Sequence, residues 1–168
     1  MRVGNMVKIR ALVALIVLLA LPAAAQDSAT KDKSTTAPLM GTWKLNLQKS
    51  KYAPGAAPES SVVTREPLPN GFKSTTHTVY GPGKITHYEY TAYYDGKDYS
   101  MVGDPARDSI AMTRVSDRIV DTVSKLKGKV SSNTRLEVAP DGKSMTTTIK
   151  TKDAAGKEQV RVQYYDKQ

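Results

Sequence analysis

Beyond residue 37 the chain alternates. Runs rich in Thr, Val, Tyr and Ile set apolar and polar side chains at every second position. Turn signals separate them at Pro69-Asn70-Gly71, Gly81-Pro82-Gly83-Lys84, Asp95-Gly96, Ser116-Asp117, Lys127-Gly128, Pro140-Asp141-Gly142 and Ala154-Ala155-Gly156. A period of two between such turns is the mark of half-buried antiparallel strands. The pattern predicts ten of them, roughly 39–47, 60–68, 71–80, 85–94, 97–103, 109–115, 118–126, 129–138, 143–152 and 157–166. No segment in this region carries a helical period. On the first strand Trp43, the only tryptophan, shares a side with Leu39, Leu45 and Leu47.

The turns also predict register, because a hairpin pairs residues on one face and a slip of one residue turns every side chain over. A two-residue turn at Asp95-Gly96 sets Tyr90 opposite Met101 and Ala92 opposite Tyr99. A turn at Ser116-Asp117 sets Ile110 opposite Val123 and Met112 opposite Asp121. With Lys127-Gly128 as the next turn, Ile119 meets Leu136, Asp121 meets Thr134 and Val123 meets Ser132. A four-residue loop at 139–142 places Leu136 beside Met145 and Thr134 beside Thr147. A similar loop at 153–156 places Ile149, Thr147 and Met145 beside Val160, Val162 and Tyr164. The predicted outer face then holds Ser131, Asn133, Arg135, Thr146, Thr148, Lys150, Arg161 and Gln163. One wet and one dry face on sequential hairpins predicts an all-β fold, a single up-and-down antiparallel barrel of about ten strands, since closure removes exposed edges. A two-sheet sandwich is the alternative.

Gly41-Thr42-Trp43, on the first strand of such a meander, resembles the G-x-W that opens lipocalins and related calycin barrels. The resemblance covers Gly41 and Trp43 and, in outline, the topology of a lipocalin-like domain at 38–168. It implies that Trp43 closes one end of the barrel under an Arg from the last strand. Arg161 is the only Arg there, and the predicted register points it outward. Either that register slips near the end or the closure is absent. The stretch 41–60 also resembles the start of small exported bacterial proteins, a likeness that brings no activity with it.

The N-terminus explains where the domain is expected to reside. Arg2, Lys8 and Arg10, the apolar run 11–22 and Ala23-Ala24-Ala25 form the pattern of a cleaved secretory signal at 1–25. The run is shorter than the ~20 apolar residues a spanning helix needs, so no stable membrane span is expected after cleavage. Residues 26–37 lack periodicity and read as a flexible linker. A periplasmic or secreted protein follows. With no cysteine it has no disulfide and no thiolate metal site. Losing the three signal cations lowers the formal charge from +9 to about +6, spread through strands and turns, which predicts a solvated surface and no nucleic-acid partner. The predicted outer face carries too many charges to meet lipid as a membrane barrel.

Candidate chemistry is sparse. The predicted ladder turns Asp121 inward, beside Thr134 and Thr147 and diagonal to Arg114, where a carboxylate needs polar partners and could orient a guest. Tyr88, Tyr90 and Tyr99 share that face, with Tyr164 from the last strand, and could form an aromatic wall. His77 and His87 flank the turn at 81–84. An odd-numbered loop would set them side by side with Glu89 two positions along, a set able to hold zinc, although an isolated surface pair is the expected reading. No nucleophile elbow, phosphate loop or H-E-x-x-H occurs, so no catalytic residue is assigned and no cofactor is expected. The reading these residues favour is a soluble exported barrel that binds a small hydrophobic or amphipathic molecule. A filled barrel that meets other proteins through its outer face and the 48–59 loop is the alternative, and an enzyme built on Asp121 comes third. Nothing in the pattern sets an oligomeric state.

Overall fold

The computed structural model describes residues 37–52 and 57–168. The expected signal peptide, and the expected linker up to residue 36, lie outside the described residues. Ten strands follow one another: β1 (Gly41–Lys51), β2 (Ser60–Leu68), β3 (Gly71–Val79), β4 (Ile85–Tyr93), β5 (Tyr99–Val102), β6 (Ser109–Ser116), β7 (Ile119–Leu126), β8 (Lys129–Val138), β9 (Ser144–Lys152) and β10 (Glu158–Lys167). Each pairs antiparallel with its neighbours in sequence, and β10 returns to β1, so the sheet is a closed up-and-down barrel and not a sandwich. Among the described residues no helix is long and apolar enough to cross a membrane.

Individual strands fall where the alternation puts them; several registers between them do not. Tyr90 lies opposite Met101 as the Asp95-Gly96 turn requires. The Lys127-Gly128 turn also forms, with φ of 52° and 76° at its two residues, the left-handed pair that a tight hairpin needs. Past that turn, however, Lys125 pairs with Val130 and Ser124 with Ser132, leaving Ser131 as an extra residue on β8. On the other side of β7 the turn is Asp117-Arg118, one residue later than expected. A second irregularity follows between Arg114 and Ser116, so that Met112 meets Thr122 and not Asp121. Both shifts act on β7 and turn it over. Val120, Thr122 and Ser124 are buried, while Ile119 and Val123, expected inside, are only partly covered.

Loop parity decides the remaining differences. On β8 and β9, Leu136 pairs with Thr147 and Val138 with Met145, a shift of two residues that leaves every face unchanged. Between β9 and β10 the last pair is Lys152 with Glu158, closing a five-residue loop. There the Asp153 carboxylate accepts from the N–H groups of Ala155 and Lys157 at 3.0 and 2.9 Å. The odd residue turns β10 over, so Val160 is 56% exposed and Tyr165 is buried. On β1 the pairing with β10 shifts between Asn46 and Lys51, and Leu47, expected beside Trp43, is 39% exposed.

Large apolar side chains collect at one end of the barrel. Leu39, Trp43, Phe72, Met112, Val120, Val138 and Met145 are all fully buried near the end that carries the β2–β3, β4–β5, β6–β7 and β8–β9 connections. Trp43 donates its indole N–H to the Leu39 carbonyl at 3.0 Å. Lys167, at the end of β10, holds its ammonium 5.1 Å from the Trp43 ring centroid. A cation from the last strand thus covers Trp43, but it is a lysine; Arg161 is elsewhere.

Candidate functional site

The opposite end is hollow. A cavity of about 530 Å³ opens among Tyr52, Tyr80, Lys84 and the 104–107 loop. A deeper chamber of about 70 Å³ continues toward the packed end, past Val63, Arg65, Ser74 and Leu136. Tyr88, Arg107, Ile149, Gln163 and Tyr165 line both, so the two adjoin. The larger volume lies within the 300–1,000 Å³ typical of small-molecule sites.

The strands that line this space carry hydroxyls where a dry core would carry aliphatics. Ser61, Ser74, Thr76, Thr78, Thr122, Ser132 and Thr147 are buried and line one chamber or the other. Some satisfy each other, as Ser61 and Thr78 do at 2.8 Å. The inward turn of β10 contributes Arg161, Gln163 and Tyr165. The Gln163 amide donates to the Tyr52 hydroxyl at 2.8 Å, and the Arg161 guanidinium lies 6.0 Å from the Tyr52 ring centroid. Arg107 donates through Nε to Asp104 at 2.9 Å and also through Nη2, and stacks 4.8 Å from the centre of Tyr88. Burial pushes the Tyr90 and Tyr165 hydroxyls above the usual tyrosine range, so both stay neutral.

Asp121 does not belong to this site. Its carboxylate faces out from β7 and accepts from Arg135 Nε and Nη2 at 2.8 and 2.7 Å, with 41% of its side chain exposed. Those hydrogen bonds hold its carboxyl below the ordinary aspartate range, against a weaker opposing effect of burial. The correction has a physical reason: outward, the carboxylate gains a bidentate partner in water, whereas inward it would lose its hydration. An enzyme built around an internal Asp121 therefore has no such residue. Thr134 and Thr147 line the deep chamber, as do Tyr88 and Tyr90.

Three further candidates lie away from the cavity. Arg114 is exposed at the packed end, 4.4 Å from the Tyr94 ring centroid. Tyr99 is also at that end, donating to Asp95 at 2.8 Å with its ring 5.4 Å from Tyr93. Tyr164 points outward, because β10 is turned over, and lies opposite Asn46. Gly41, with φ of 100°, leads into the Trp43 strand. His77 and His87 do sit opposite each other, since five residues separate β3 from β4, with ring centroids 6.2 Å apart. Glu89 instead pairs with Lys73 at 3.4 Å, and among the described residues no group of three metal-ligating side chains forms.

The residues missed from sequence are Arg65, Arg107, Arg161, Gln163 and Tyr165. Arg65 carried a signal, for it occupies the same face of its strand as Ser61 and Val63. Arg107 lies in a loop with no periodicity to place it.

No protein-family model and no curated protein matches this chain. Among solved structures it is similar to the zebrafish ileal bile acid-binding protein in complex with cholic acid, with 14% sequence identity and a TM-score of 0.52 over 78% of this chain and 99% of that chain. At that identity the likeness is one of fold alone, the closed up-and-down antiparallel β-barrel described above.

Proposed function

We propose that this protein is an exported, soluble binding protein that holds one small amphipathic molecule inside its barrel. The observation that carries the reading is the cavity of about 530 Å³, open at one end and lined by tyrosine rings, Ile149 and buried hydroxyls together. Such a lining suits a molecule with apolar surface and several polar groups, since each buried hydroxyl needs a partner and each ring face needs apolar cover. The zebrafish protein's complex with cholic acid is consistent with this by analogy of fold. A filled barrel acting only through its surface is less well supported, because only the Trp43 end is packed. The test is native mass spectrometry of protein purified from the exported fraction of its own host. A bound mass that disappears on solvent extraction is expected. Protein that is empty as isolated and takes up no amphipathic probe would overturn the reading.

A further inference from the structure

The deep chamber holds a charge that the protein does not balance. Arg65 on β2 is only 5% exposed. Its Nη1 donates to the Met145 sulfur at 3.1 Å, a weak acceptor; its guanidinium lies 5.5 Å from the Phe72 ring centroid; and its Nε is buried without a hydrogen-bond partner. No carboxylate among the described residues forms an ion pair with it; Asp104, which lines the outer chamber, is paired with Arg107. A guanidinium stays protonated at any physiological pH, so it cannot escape the cost of burial by losing its proton. Nor can its neighbours become anions: Tyr90 and Tyr165 are held neutral by the same burial. A buried cation without a counter-charge is among the costliest arrangements a protein core can hold.

We propose that the deep chamber is an anion subsite in which Arg65 is the counter-charge for an acid group of the ligand, carboxylate or sulfonate in size, so that the ligand enters acid first. The proposal rests on the reading that the barrel holds a small amphipathic molecule, and it sets that molecule's class and orientation. Size supports the orientation: about 70 Å³ admits a group of a few atoms, whereas a ring system or chain fits only the outer chamber of about 530 Å³. Chemistry supports the class. Arginine offers donors and no acceptor, so a neutral hydroxyl could fill a hydrogen bond but leave the charge unmatched. Arg161, whose buried Nε is also unpartnered, lines the outer chamber and adds a second positive charge on the way in.

Two fluorescent probes with the same rings separate the outcomes: 1-anilinonaphthalene-8-sulfonate, and N-phenyl-1-naphthylamine, which lacks the sulfonate. In solvent-extracted protein, Arg65→Met is expected to weaken binding of the sulfonate by about tenfold or more while the neutral probe changes less than about twofold. Arg65→Lys, which keeps the charge, should retain most of the sulfonate binding. Equal effects of Arg65→Met on both probes, or none on either, overturn the acid-first subsite and leave the binding reading standing if the neutral probe still enters. Failure of both probes to bind the unaltered protein overturns both. A second measurement is independent of probes: ligand-free Arg65→Met should melt at or above the temperature of the unaltered protein, because an uncompensated charge has been removed. A lower melting temperature, or failure to fold, means that the protein itself balances Arg65 and overturns the subsite.

Discussion

Trp43 and Arg161 show how far a single residue can be placed from sequence. The alternation around Trp43 is enough to bury it, because a large ring on the apolar side of a strand has nowhere else to go, and it is fully buried, with its N–H bonded to Leu39. Trp43→Ala should therefore cost about 3–5 kcal/mol in denaturant unfolding. Trp43 is the only tryptophan, so the native protein should emit at the blue-shifted wavelength of a buried indole; solvent-like emission would contradict the packing. Arg161 is the opposite case. Its strand alternates between Val160, Val162 and Tyr164 on one side and Arg161, Gln163 and Tyr165 on the other, and the usual preference for apolar interiors selects the wrong set. The preference fails because this part of the interior is a cavity lined with polar groups, where a dry core would have favoured the valines.

Strands were legible as elements, whereas the joints between them were not. A two-residue error between β8 and β9 left the faces of Thr134, Leu136 and Thr147 unchanged. One-residue errors at the bulges beside β7 and at the loop before β10 reversed whole strands. Bulges and odd loops leave little trace in composition, since a serine such as Ser131 is at home in a strand or a bulge. The consequence for β7 is testable through Asp121. Its pair with Arg135 is solvent-exposed, so Asp121→Asn should cost less than about 1 kcal/mol. The pH dependence has a definite sign: a carboxyl whose pKa is lowered by folding adds stability above the ordinary aspartate range and loses it as pH falls through the folded value. Chemical unfolding of Asp121→Asn and the unaltered protein should thus differ at neutral pH and converge in acid. A difference that grows on acidification would mean that Asp121 is not ion-paired.

At the scale of the molecule the barrel is divided, packed around Trp43 and Phe72 at one end and hollow toward Tyr52 and Tyr80 at the other. Closure on β1 and β10 lets both conditions coexist, because the hydrogen-bonded wall is continuous whether or not side chains fill it. Stability and binding are therefore separable by position. Ile149 lines both chambers and is not part of the packed cluster around Trp43, so Ile149→Trp should fill space in both while leaving the packed end intact. A ligand that binds only the folded barrel stabilises it by about 2.7 kcal/mol at a hundredfold excess over its dissociation constant. For a domain of this size that amounts to a rise of several degrees in melting temperature. Solvent-extracted protein should show that rise when 1-anilinonaphthalene-8-sulfonate is added to saturation, and Ile149→Trp, melting within about two degrees of the extracted protein by itself, should show little or none. If both forms are stabilised equally, the probe does not occupy the space beside Ile149.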